Sequence, residues 1–409
     1  MNNMNMTDPY AGNILINGLP PIPDENTILR YLTVTSEIPL WILDLPTQIR
    51  RHHLKNMLAK LHIPSLEGCR LAENIDLMIR QGYSLRNPAD PSTWKQVMGS
   101  IPSSERMTTS SIISAAVEGF SGVGKTITVK RPLSRYPQTI EHQNFPNIAG
   151  SHYQMVWVSI QVPASGKLED FAAGLMREWD RILPDNQSRF TDTLNDKSRN
   201  GEKMFEEWNQ VAKSHFLGLL HLDEVQNFFK IPTLKQRQSK KAGNRLDLSL
   251  VEDKLLKTML NLINTGLPIL FSGTPDGMSA MSNRFSTGQR MASFGYHEFL
   301  RFDDPNDAEY KEFLGELVKY QFVRSPLVFS EELASLIIEL TAGIRRLIIN
   351  LWDLAHSVAY RRGQDDLSLE DFKTAERLNF KKVRPAVRAI LSGDPYQISL
   401  YVDLLGAFS

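Results

Sequence analysis

Eight consecutive residues, Gly119-Phe120-Ser121-Gly122-Val123-Gly124-Lys125-Thr126, constrain this chain more than any other feature. They satisfy the pattern G-x-x-x-x-G-K-[ST] at every position. The short apolar run Ala115-Ala116-Val117 leads into them, and helix-compatible residues follow. Glycines at these places let successive backbone N–H groups wrap an anion, and the start of the helix adds a partial positive charge. In such a loop Lys125 reaches the β and γ phosphates of a nucleotide, and Thr126 offers a hydroxyl to Mg²⁺. A strand–loop–helix of this kind demands a parallel α/β sheet around it.

The rest of the central region supplies that sheet. Met155–Ile160, Phe216–Leu222 and Leu267–Thr274 are near-continuous apolar runs. Strands covered on both faces read this way. Helical patterns at Leu168–Ile182 and Leu255–Ile263 alternate with them, which argues for βα units. His221-Leu222-Asp223-Glu224 ends the second run. At the carboxyl edge of a parallel sheet Asp223 can hold a metal's water shell, and Glu224 can polarise an attacking water. His221 reads as a packing residue. The third run ends in Ser272-Gly273-Thr274, and either hydroxyl, Ser272 or Thr274, can reach between the metal and the γ-phosphate. Arg284 and Arg290 follow about one helix later. Either can serve a neighbouring subunit as the arginine that stabilises a transferring phosphoryl group, and Arg290 is preferred.

Both ends of the chain read as helical. Leu54, Met57, Leu58 and Leu61 form one stripe, and Leu71, Ile75, Met78 and Ile79 another, with Gly82 as a stop signal. Asn87-Pro88-Ala89-Asp90-Pro91 reads as a linker. Beyond Asp304-Pro305, Ser330 caps a helix holding Leu333, Ile337 and Leu340. A long stripe runs from Ile344 to Ala355, and Ser368-Leu369-Glu370-Asp371 resembles a capping box. Gly343-Ile344-Arg345-Arg346 opens the long helix, where an arginine can bridge a lid to bound phosphates; Arg346 is favoured over Arg345. The expected domains are an arm and helical partner-binding domain over 1–92, an ATPase core over 93–304, a helical lid over 305–388 and a tail over 389–409.

The formal net charge is zero, so nucleic-acid binding requires local patches. Two exist. Lys230, Lys235, Arg237, Lys240, Lys241 and Arg245 occur with no acid among them, and Lys373, Arg377, Lys381, Lys382, Arg384 and Arg388 with only Glu376. One cysteine, Cys69, excludes an internal disulfide framework and fits a reducing cytoplasm. No apolar run is long enough to span a bilayer, and no signal core opens the chain, so a cytoplasmic protein is expected.

A parallel α/β core followed by a small helical bundle is the arrangement of a AAA+ module. The chain further resembles the TnsC/TniB-type AAA+ regulators of DNA transposition over roughly residues 75 to 355. Gly119–Thr126, Leu222-Asp223-Glu224-Val225-Gln226-Asn227 and Phe271-Ser272-Gly273-Thr274-Pro275 carry the resemblance, with Ile79-Arg80-Gln81-Gly82-Tyr83 and Arg86-Asn87-Pro88 ahead of them. It implies an ATP- and Mg²⁺-dependent ring or helical homo-oligomer on double-stranded DNA, linking a target-selector protein to a transposase. Gln289 stands where an arginine pair is usual before Arg290, which leaves the trans arginine open. Three other readings share the nucleotide loop: a replication-initiator-like ATPase, a defence-associated ATPase, and a nucleotide-gated scaffold with little hydrolysis. Initiators usually append a winged-helix reader after the lid, and about twenty residues follow Arg388.

Overall fold

The computed structural model describes residues 9–97, 112–184, 188–196, 200–230, 250–284 and 290–401. Its centre is a five-stranded parallel sheet of β1 (Ser114–Gly119), β4 (Trp157–Gln161), β5 (Leu219–Asp223), β6 (Ile269–Gly273) and β7 (Gly295–Phe299), in the order β4-β5-β6-β1-β7. A separate antiparallel pair joins β2 (Thr139–His142) to β3 (His152–Met155). The apolar run expected as one strand over Met155–Ile160 is therefore divided at Val156 between two sheets.

Alternate residues of the strands feed two cores, as the pleat requires. Ala116, Leu220, Leu222, Ile269 and Phe271 face one side. There they meet helices Leu168–Ile182, Gly201–Ser214 and Asp253–Ile263 through Phe171, Trp179, Trp208 and Met259. Ala115, Val117, Leu219 and Leu270 face the other side. Two helices cover that face: α3 (Leu66–Ser84), and α5 (Lys125–Ser134), the helix that follows the glycine loop.

Helix α3 explains one of the sequence signatures. It runs through Gly82 to Ser84 instead of stopping there. A Cβ on Gly82 would lie 2.4 Å from the Pro268 ring, so only hydrogen fits between the helix and the start of β6. Tyr83 is wholly buried and donates its hydroxyl to the Met155 carbonyl at 3.3 Å. Arg86 donates to the carbonyls of Gly82 (2.8 Å) and Leu217 (2.9 Å). Arg80 pairs with Asp76 at 2.9 Å, and Asp76 also accepts from the Tyr136 hydroxyl. The Ile79–Tyr83 and Arg86 signature thus fastens a helix across the sheet.

The C-terminal helices α10 (Ala308–Val318), α11 (Glu331–Thr341), α12 (Arg345–Arg362), α13 (Leu369–Asn379) and α14 (Arg384–Ser392) build a second core around Leu314, Ile337, Leu351, Trp352, Phe372 and Ile390. Ser330 caps α11 and the Ser368–Asp371 box caps α13. The N-terminal helices have no large core of their own among the described residues. Helix α2 (Thr47–Leu58) packs Leu54 and Leu58 into the C-terminal bundle, and its Arg50 pairs with Asp365 at 2.7 Å. Helix α3 belongs to the sheet. Residues 59–65 therefore pass from the bundle to the sheet layer, pinned midway by the antiparallel bridge of Val34 with His62. No helix among the described residues is long and apolar enough to cross a membrane.

Replacing Gly82 with Ala forces the α3 backbone away from Pro268, an overpacking expected to cost about 1–3 kcal/mol. Thermal unfolding should show a lowered midpoint. An unchanged midpoint would refute this account of the docked helix.

Candidate nucleotide-binding site

Parallel register brings the carboxyl ends of three strands together. Val117 pairs with Ser272, Glu118 with Gly273 and Leu222 with Phe271. The loop after β1, the acidic pair after β5 and the hydroxyls of β6 consequently emerge at one edge, where open α/β sheets bind ligands. The order of strands places β1 between β6 and β7, so the loop emerges beside the β6 hydroxyls, one strand in from the sheet margin.

The loop turns through Gly122 (φ 90°) and Gly124 (φ 108°), both in the left-handed region that side chains avoid. Phe120, Ser121 and Val123 complete it, and α5 begins at Lys125. Lys125 is buried, and its Nζ donates to the carbonyls of Gly119 (2.7 Å) and Phe120 (3.1 Å). Burial lowers its pKa, and the carboxylates of Glu224 and Asp223 oppose the shift. A polyanion entering the loop would meet a cation already inside it.

Asp223 accepts from Thr126 Oγ1 at 2.7 Å, from Ser272 Oγ at 2.5 Å and from the Glu224 N–H at 3.0 Å. Burial alone would raise its pKa, but His221 and these donors hold it below the ordinary carboxylate value. The carboxylate stays ionised. A carboxylate and a hydroxyl are hard oxygen donors of the kind Mg²⁺ takes together with phosphate oxygens. No group of three or more His, Cys, Asp or Glu among the described residues could hold a metal without them. Thr126 and Asp223 therefore fit a nucleotide-bound Mg²⁺.

Glu224 follows in a left-handed conformation (φ 58°) that turns it away from the strand. Burial and the Asp223 charge raise its pKa, against Lys125 and a hydrogen bond from Gln226. A raised carboxylate is a better proton acceptor near neutral pH. Gln226, not singled out in the sequence, bridges this carboxylate to β6, because its Oε1 accepts from the Thr274 N–H at 3.2 Å. The two hydroxyls of β6 differ. Ser272 is wholly buried against Asp223 and His221, whereas Thr274 Oγ1 is buried without a hydrogen-bond partner among the described residues. Thr274 is thus the one with a donor to spare.

A cavity of about 700 Å³ extends from the loop to an apolar end between α2 and the C-terminal bundle. Leu58, Ala59, His62 and Ile63 form one wall, and Phe313, Ile349 and Asn350 the other. Its size and position suit a base and sugar. His62 donates from Nδ1 to the Leu32 carbonyl at 2.7 Å, and burial pushes its pKa down to about 4, so the ring is neutral. The helical stripe through Leu54–Leu61 was visible in the sequence, but nothing there placed its end on this cavity.

The arginines divide. Arg346 donates its backbone N–H to Gly122 O at 3.0 Å and lines the cavity. Arg345 stacks 4.7 Å over the Phe302 ring, with Glu309 3.8 Å away. Arg290 does not line the cavity; its carbonyl accepts from the Ser114 hydroxyl. Arg284 ends a helix over Pro275–Arg284, with its side chain outside the described residues, as is Gln289. Of the first basic patch, only Lys230 is described. In the second, Arg384 pairs with Glu376 at 2.6 Å and Lys373 lies 3.9 Å from Glu370. Arg377, Lys381, Lys382 and Arg388 are exposed without an acidic partner among the described residues.

Residues 113–281 match the family model described as AAA domain. Comparison with solved structures gives matches at low identity. The Aeropyrum pernix ORC1 protein in complex with DNA is 16% identical over 85% of this chain and 71% of its own, with a TM-score of 0.43. Drosophila ORC bound to DNA is 13% identical over 94% and 79%, TM-score 0.37. The Thermotoga maritima RuvB Holliday junction branch migration motor is 14% identical over 79% and 88%, TM-score 0.35. No curated protein matches the chain. The fold is that of a P-loop AAA+ module: a parallel-sheet core, a helical C-terminal portion and a helical region before the core.

Lys125→Ala removes the cation from the loop. A hydrogen bond to a charged group contributes roughly 1.5–3 kcal/mol, so ATP affinity measured by calorimetry should fall at least about tenfold. Unchanged affinity would defeat the assignment of the loop.

Proposed function

We propose that this chain is an ATPase that assembles with ATP on double-stranded DNA and couples target choice to a transposase. The observation that supports hydrolysis is the convergence of Lys125, Thr126–Asp223 and Glu224 on one cavity. Lys125 binds the β and γ phosphates. Thr126 and Asp223 would hold Mg²⁺, which would supply positive charge to the phosphates. Glu224, with its pKa raised by burial, would orient the attacking water and accept its proton, and Thr274 is the proposed polar group of β6 for the γ-phosphate. Arg346 carries a charge from the bundle to the loop, so nucleotide state and bundle position are linked.

Assembly and DNA binding rest on other features. Arg290, whose carbonyl meets Ser114 at the start of β1 and which does not line its own cavity, is the proposed trans arginine; Arg284 remains the other candidate. Arg377, Lys381, Lys382 and Arg388 form an unneutralised surface suited to phosphate contacts without base reading. The transposition role is supported by the resemblance at Leu222–Asn227 and Phe271–Pro275. Residues 1–92 are the proposed partner-contacting part, and the site of action is the cytoplasm.

Glu224→Gln keeps the nucleotide-binding residues but removes the proton acceptor. Its complexes with ATP on unrelated duplexes should outlive those of the parent and weaken steeply with salt, as read by filter binding and electron microscopy. The absence of any ATP-dependent DNA-bound oligomer would leave only the ATPase reading. Mixing Arg290→Ala with Glu224→Gln subunits should restore part of the lost turnover, since each supplies what the other lacks. No recovery in assembled mixtures would exclude Arg290 as the trans arginine.

A further inference from the structure

Behind Asp223 lies a polar stripe that nucleotide binding does not use. Ser159, His221 and Ser272 stand on neighbouring strands β4, β5 and β6, on the sheet face where Leu219 and Leu270 are apolar. His221 is wholly buried. Ser159 Oγ lies 2.8 Å from its Nδ1, and Ser272 Oγ lies 2.9 Å from its Nε2. Ser272 in turn reaches Asp223 Oδ1 at 2.5 Å.

The protons in this chain have one consistent arrangement. An ionised carboxylate only accepts, so Ser272 gives its single O–H to Asp223. The Ser272 oxygen can then only accept from His221, which places the ring proton on Nε2. Nδ1 of the ring meets the Ser159 hydroxyl at 2.8 Å, which holds the ring from its other side. Without His221 the Ser272 hydroxyl would be oriented by Asp223 alone; with it, the oxygen is held from both sides. Among the described residues Oδ2 then has Thr126 as its one protein partner. A buried imidazole is unfavourable unless its nitrogens are hydrogen-bonded, and here both are.

We propose that His221 is a positioning residue for the metal site: through Ser272 it fixes the Asp223 carboxylate in the orientation that receives Mg²⁺ with the nucleotide. The inference rests on the nucleotide reading above and extends it to a residue that touches neither nucleotide nor metal. Groups that orient a metal's ligands typically change metal affinity 10–100-fold when removed.

The test is binding of a fluorescent non-hydrolysable ATP analogue, titrated with Mg²⁺ and repeated in EDTA. For His221→Leu the Mg²⁺ concentration giving half-maximal binding should rise about tenfold or more, with binding in EDTA unchanged. His221→Gln, whose amide N–H can still reach Ser272, should recover most of the difference. Ser159→Ala, a smaller change that decides the matter if His221→Leu does not fold, should shift the Mg²⁺ requirement the same way. An unaltered requirement in a folded His221→Leu, or in Ser159→Ala where the leucine variant is unfolded, overturns the proposal. So does an equal loss of binding with and without Mg²⁺, which marks a merely structural role. A parent protein that binds no nucleotide overturns the site reading itself, and the role of His221 with it.

Discussion

The Asp223 carboxylate is the point at which the separate parts of this molecule are tied together. It accepts from Thr126 at the start of α5, from Ser272 on β6 and from the backbone of Glu224 beyond β5. A buried charge is tolerable only when its lone pairs are engaged. Each of these donors is present because parallel register delivers it: β5 pairs with β6, and β6 with β1, whose end becomes the loop. The ionised state, the local geometry and the strand order are therefore one constraint seen at three scales. Glu224, one residue further, escapes it through its left-handed turn and has a raised pKa where its neighbour's is lowered. Two adjacent carboxylates acquire opposite characters from their surroundings alone.

Much of this was legible in the sequence. Gly119–Thr126 is recognisable because phosphate wrapping needs glycine at fixed places, and Leu222-Asp223-Glu224 because a doubly covered strand must be apolar until it ends. Helix α12 declared itself by its long stripe, and α13 by its capping box. Other features needed three dimensions. Ser272 and Thr274 look equivalent at the end of one strand, yet the first is consumed by Asp223 and the second is free. Arg345 and Arg346 are adjacent at a helix start and both line the cavity, but Arg345 is engaged by Phe302 and Glu309 while Arg346 meets the loop at Gly122. A signal did exist for His221: a polar residue inside Leu219-Leu220-His221-Leu222 must find buried partners. Nothing local named Ser159 and Ser272 as those partners.

The N-terminal helices show a different limit. A periodic stripe reveals that a helix buries one face but not against what. Helices α2 and α3 have similar stripes and go to different bodies, the first to the C-terminal bundle through Leu54, Leu58 and Arg50, the second to the sheet through Tyr83 and Arg86. Gly82 reads as a terminator by composition and acts as a contact point, because Pro268 leaves no room for a side chain.

That division has a mechanical meaning. Three stretches of backbone join the C-terminal bundle to the sheet layer: residues 300–307 after β7, residues 33–39 leading from helix Glu25–Leu32 on α3 to Ile42 in the bundle core, and residues 59–65 running back from α2 to α3. The last two run together at the Val34–His62 bridge, and His62 is itself a wall of the cavity. The bundle and the cavity wall thus share one ribbon of backbone, and any shift of the bundle against the sheet carries that wall with it.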